Sequence, residues 1–125
     1  MSELAPPPAD APLILVSDDV PANVELLFDQ LHVLGFRAVA AYDGPSAQTR
    51  SADRHPDLCI LDVSMPAGDL GVDDRSTGFE VCRRIKRDPR TARIPVIFVT
   101  ALNDTTRMQR SGWRSAQTRS ADGPS

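Results

Sequence analysis

Asp62 closes the apolar run Leu58-Cys59-Ile60-Leu61, and Asp18-Asp19 follow the run Leu13-Ile14-Leu15-Val16-Ser17. A third run, Ile94-Pro95-Val96-Ile97-Phe98-Val99, ends in the hydroxyl of Thr100. Unbroken apolar runs of this length read as parallel strands buried on both faces. Open parallel sheets bind ligands just beyond the carboxyl ends of their strands. The oxygen-bearing side chains therefore stand where chemistry is expected. If the sheet places the first strand beside the third, Asp18, Asp19, Asp62 and Thr100 share one crevice. Clustered carboxylates repel, and a hard divalent cation relieves that repulsion. Mg²⁺ suits the set, because it takes one or two carboxylates, keeps several waters and leaves room for phosphate oxygens. A carboxylate beside such a cation is also a nucleophile toward a phosphoryl group, giving an aspartyl phosphate whose oxygens a hydroxyl such as that of Thr100 can contact.

The elements that position these groups follow from periodicity. After the first strand, Pro21 opens a helix in which Val24, Leu27, Leu31 and Leu34 recur at spacings of three and four, and Gly35 stops it. Phe36–Ala41 is a short second strand, less apolar and so expected at an edge. Asp43-Gly44-Pro45 reads as a turn, Ser46–Arg54 as a short helix, and His55-Pro56-Asp57 as the break before the central strand. Ala67–Thr77 is rich in Gly and Asp and reads as a loop. Gly78–Arg87 is a helix with Phe79, Cys82 and Ile85 inward, and Asp88-Pro89 ends it. Ile94–Thr100 is the fourth strand, and Asn103 can cap a further turn or two from Asp104 to about Arg110. Alternating strands and helices make βαβ units and a parallel sheet, so the class is α/β.

The 125 residues suffice for one domain. A net charge of −3 gives no reason to expect nucleic acid or an anionic membrane as partner. No apolar run is long enough for a transmembrane helix or a signal peptide core, so the expected location is cytoplasmic. Cys59 and Cys82 then read as buried thiols rather than a disulfide. Met1–Pro12, rich in proline and without periodicity, reads as a disordered leader. There is no GxxxxGK[ST] loop and no second Asp two residues after Asp62, which argues against a nucleotide hydrolase or phosphatase. Simpler readings stay open for single residues: Asp18 or Thr100 as helix caps, the Arg83-Arg84-Lys86-Arg87 run as a solvated helix face, and Asp69, Asp73 and Asp74 as a solvated loop. His32, His55 and Trp113 carry no expected role.

As a set, Leu15-Val16-Ser17-Asp18-Asp19, Leu61-Asp62-Val63-Ser64-Met65-Pro66, Gly78-Phe79-Glu80-Val81-Cys82 and Val99-Thr100-Ala101 resemble the receiver domain of two-component response regulators over roughly Leu13–Arg110. The resemblance implies a flavodoxin-like, doubly wound parallel sheet of order 2-1-3-4, with the family's fifth strand and helix missing. It implies a signalling module rather than an enzyme, with Asp62 as phosphoacceptor for a histidine kinase or phosphotransfer protein. Asp18 and Asp19 would hold Mg²⁺ together with Asp62 and the backbone carbonyl of Ser64. Thr100 would be the switch hydroxyl, and the Ala101 N–H a further donor.

Departures from the family bear on how well such a module works. The fifth strand usually carries a lysine that pairs with the phosphoryl group. The single lysine here, Lys86, lies on the third helix. The loop after Pro66 is longer than usual. From Ser111 the chain loses all apolar period, and Ser115–Asp122 repeats Ser46–Asp53 residue for residue, which reads as a recombination, frame or cloning scar rather than a designed element. Loss of the lysine is expected to impair phosphorylation, and an exposed fourth strand invites a homodimer or a domain swap. The alternatives are a degenerate docking or dimerisation module that carries no phosphate, or an unstable fragment of a longer regulator.

Overall fold

A computed structural model describes residues 6–100. Four strands, β1 (Leu13–Ser17), β2 (Arg37–Ala41), β3 (Leu58–Asp62) and β4 (Val96–Val99), alternate with three helices, α1 (Pro21–Val33), α2 (Gly44–Arg54) and α3 (Thr77–Arg87). All strand pairs are parallel and the order is β2-β1-β3-β4, the order expected from the resemblance. Among the described residues β4 has a strand on one side only. The further helix after Asn103, and any element beyond it, lies outside the described residues.

Strand side chains alternate between two cores. Leu15, Cys59, Leu61 and Val96 pack with Ala47 of α2 and with Val81, Cys82 and Ile85 of α3. Ile14 and Val16 face the other way, onto Val24 and Leu31 of α1. This is why β1 is buried at all five positions: helices cover both of its faces. Gly35, at φ +88°, turns the chain out of α1 in a left-handed conformation that costs glycine little. Among the described residues no helix is long and apolar enough to cross a membrane.

Several expectations need correction. Asp43-Gly44-Pro45 is not a free turn. Asp43 is the N-cap of α2, its Oδ1 accepting the Ser46 N–H at 2.8 Å, and the helix already begins at Gly44. Proline in a first helical turn lacks only an N–H that would go unused there. Phe79 does not face the core. It is 52% exposed and meets Phe98 edge to face, with ring centroids 4.9 Å apart, while Val81 takes the inward position. The loop from Ala67 to Thr77 carries two 3₁₀ turns, Gly68–Leu70 and Asp74–Ser76, and buries Ala67 and Leu70. The leader is not wholly loose either: Ala11 is buried, its carbonyl accepts the Arg37 Nε–H at 2.8 Å, and Pro12 accepts the Arg37 N–H.

Candidate functional site

Register brings the carboxylates together. Ser17 pairs with Leu61, so the next residues along each strand, Asp18 and Asp62, emerge side by side. Asp62 in turn pairs with Val99, which places Thr100 one step further at the same end of the sheet. One carboxylate oxygen each from Asp18, Asp19 and Asp62 lies within 4.8 Å of the others. Asp18 and Asp62 are buried, while Asp19 is exposed and opens the group to solvent.

Each carboxylate is held differently. Asp18 Oδ1 accepts the Val20 N–H at 2.9 Å and Oδ2 accepts Asn23 Nδ2 at 3.2 Å, so this side chain helps start α1 as well as facing the crevice. Asp62 Oδ1 accepts the Ser64 N–H at 3.3 Å. The Ser64 carbonyl accepts no hydrogen bond among the described residues. Three residues after Asp62, the buried Met65 accepts the Ser17 hydroxyl on sulfur at 2.9 Å and the Thr77 hydroxyl on its carbonyl at 2.6 Å. Gly78 closes the other side. Its N–H donates to Val63 at 2.9 Å, and a Cβ there would fall on the Asp62 carbonyl and 2.8 Å from Val63 Cα. The loop after Asp62 is tied down further on, where Asp74 Oδ1 accepts the Ala67 N–H and the Gly44 N–H donates to Pro66.

The Thr100 hydroxyl is buried and has no hydrogen-bond partner among the described residues. Leaving such a group unmet costs about 1–3 kcal/mol, so its orientation calls for an acceptor at this spot. Hard carboxylate oxygens, one of them solvent-facing, beside that hydroxyl form a donor set that fits a small divalent cation with room for phosphate. Lys86 is engaged elsewhere. Its ammonium donates to the carbonyls of Ala92, at 3.1 Å, and Ile94, ahead of β4 and away from the strand exits.

The structure thus brings together Asp18, Asp19 and Asp62, with Ser64 adjacent and Thr100 at the neighbouring strand exit; Ala101 lies outside the described residues. Ser17, Met65, Thr77, Gly78 and Asn23 support the site and were not expected to. A hydroxyl at the last position of an otherwise apolar strand, as at Ser17, was the available signal.

Residues 14–116 of the 125 match the family of the response regulator receiver domain. The chain belongs to that family. This receiver domain is 44% identical over 90 residues to the response regulator PleD of Caulobacter vibrioides, a match that takes in 72% of the chain and 18% of PleD. It superposes with a TM-score of 0.61 on the N-terminal domain of a response regulator receiver protein from Methanoculleus marisnigri, at 31% identity, covering 78% of this chain and 76% of that one. The receiver domain of the sensor histidine kinase PA1611 from Pseudomonas aeruginosa, solved with a magnesium ion in its active site cleft, shares the fold at 21% identity and a TM-score of 0.64, covering 86% of this chain and 81% of its own. The family match runs from Ile14 past Arg110, six residues beyond the expected end of the resemblance.

Proposed function

We propose that this receiver domain accepts a phosphoryl group on Asp62 from the phosphohistidine of a histidine kinase or phosphotransfer protein. The observation that carries the reading is the convergence of Asp18, Asp19 and Asp62 at the strand exits, beside the unmet hydroxyl of Thr100. An oxygen of Asp62 attacks phosphorus, the new P–O bond forms as the P–N bond breaks, and the imidazole departs and takes up a proton. Asp18, Asp19, Asp62 and the Ser64 carbonyl would hold Mg²⁺. When bound, the ion neutralises charge on the carboxylates and on the transferring oxygens. Asp19 is the open side of this set, and Asp18 holds its position through Val20 and Asn23. The Thr100 hydroxyl donates to a phosphoryl oxygen, as does the Ala101 N–H, and that new bond is what biases the β4 end toward a second arrangement. Because Lys86 is spent on the Ala92 and Ile94 carbonyls, no lysine of this sequence pairs with the phosphoryl group, and both transfer and switching are weakened.

The test is thermal unfolding of the full chain with Mg²⁺ plus beryllofluoride, a mimic of the aspartyl phosphate. Occupancy at a hundredfold excess over Kd adds about 2.7 kcal/mol, a rise in Tm of about 10 °C for a domain of this size. Asp62→Asn should abolish the rise. A cooperative transition that ignores the ligand would overturn phosphoacceptance and leave the docking module. Absence of a cooperative transition would leave the unstable fragment.

A further inference from the structure

An open groove of about 330 Å³ lies beside the β2 edge, at the end of the sheet opposite the carboxylates. Leu13 and Arg37, the first residues of β1 and β2, form its floor, with Phe36 just before them. Phe28 and His32 of α1 and Arg54, the last residue of α2, form its walls. Its lining holds three basic side chains, His32, Arg37 and Arg54, and no acid. Arg37 is half-buried, and its Nε–H is fixed on the Ala11 carbonyl at 2.8 Å. Its remaining donors, and the whole Arg54 guanidinium, meet no acceptor among the described residues. The last turns of α1 and α2 contribute about half a negative charge each, which attracts His32 and Arg54. Arg37 sits on a strand without such a counter-charge, and the nearby Asp57 carboxylate is engaged by the Leu13 N–H at 2.8 Å, so the two arginines leave the lining a small positive excess with His32 neutral. Phe28 and Phe36, packed on the Ile14–Val16 core, supply apolar walls.

We propose that this groove binds a small aromatic carboxylate, with its ring against Phe28 and Phe36 and its carboxylate on Arg37 and Arg54. A fixed guanidinium takes a carboxylate through two parallel hydrogen bonds, and half-buried rings offer the apolar contact that a bare anion does not use. Binding of this kind needs an apolar wall and a few convergent polar groups, and both are present here. The site shares no residue with the carboxylate crevice, so it stands or falls independently of phosphorylation.

The probe is 2-naphthoate, titrated into the ¹⁵N-labelled full chain and followed by amide chemical shifts, with neutral 2-naphthamide as the matched control. The expected result is a saturable set of shifts centred on Leu13, His32, Phe36–Ala38 and Arg54, with naphthamide binding about tenfold more weakly. Arg54 is exposed, so Arg54→Gln preserves the fold, and it should weaken naphthoate by a similar factor. Equal binding of acid and amide, an unchanged affinity in R54Q, or shifts that appear elsewhere or not at all would overturn the site.

Discussion

Asp18 and Asp19 are neighbours in sequence with unequal burdens. Asp18 is buried and accepts from the Val20 N–H and the Asn23 amide, whereas Asp19 is exposed and makes no hydrogen bond among the described residues. Asp18→Ala should therefore cost about 1–2 kcal/mol in urea denaturation, in addition to weakening Mg²⁺. Without Mg²⁺, Asp19→Ala should leave stability unchanged or slightly raised while still weakening Mg²⁺, because Asp19 makes no hydrogen bond among the described residues and its loss relieves repulsion with Asp18 and Asp62. If both variants lose stability equally, the division of roles is wrong. At this scale the acids and Thr100 were readable, because carboxylates and hydroxyls at strand exits stand out against apolar runs. The support was not. Met65 reads as core and Thr77 as loop until the backbone brings their carbonyl and hydroxyl together.

Element by element, the strands were legible and the helix faces less so. Asp43 was misread because proline and glycine both punctuate turns, while the cap that converts them into a helix start needs the Ser46 N–H in place. Phe79 was misplaced because the stripe of α3 runs through Thr77, Val81, Cys82 and Ile85, and an aromatic beside it turns to the Phe98 ring instead. The basic run on α3 is also more than a solvated face. Arg83 and Arg84 both hydrogen-bond Glu80, and Arg84 reaches the Leu70 carbonyl at 3.1 Å, tying the helix to the loop that follows Pro66. These two guanidinium groups, Arg83 first, hold the Glu80 carboxyl down to about 2. A carboxyl lowered in the folded state stabilises it above the ordinary value near 4.3, and that contribution fades as pH falls toward 2. Stability should thus decline across that window, in which Asp88, held down to about 2 by Arg90, also titrates. Glu80→Gln should make the decline shallower in urea unfolding at stepped pH. The change should be small, since half of the Arg83 side chain lies in solvent. An unaltered slope would show that the pairing contributes nothing.

Across the whole molecule, one sheet separates two cores, and the strand order that sets the carboxylates side by side also buries the Cys59 and Leu61 face of β3 under α2 and α3. Burial pushes the Cys59 thiol up to about 11. A buried, protonated thiol is inert, so alkylation of Cys59 should proceed only through opening of the sheet. Its rate should follow the unfolding equilibrium as urea is raised, measured by mass spectrometry; fast labelling in the absence of urea would contradict a closed sheet. The order itself was reachable only through the resemblance, since apolar runs show that strands exist but not which of them are neighbours.

The sulfur of Met65, three residues after Asp62 and bonded to the Ser17 hydroxyl, is 1% exposed. A thioether in that position is a target for peroxide as soon as the loop lifts. Its sulfoxide would place a polar, chiral group where a soft acceptor now fits. The contacts that hold the loop in place, from Thr77, Asp74 and Gly44, therefore also keep oxidants from this sulfur.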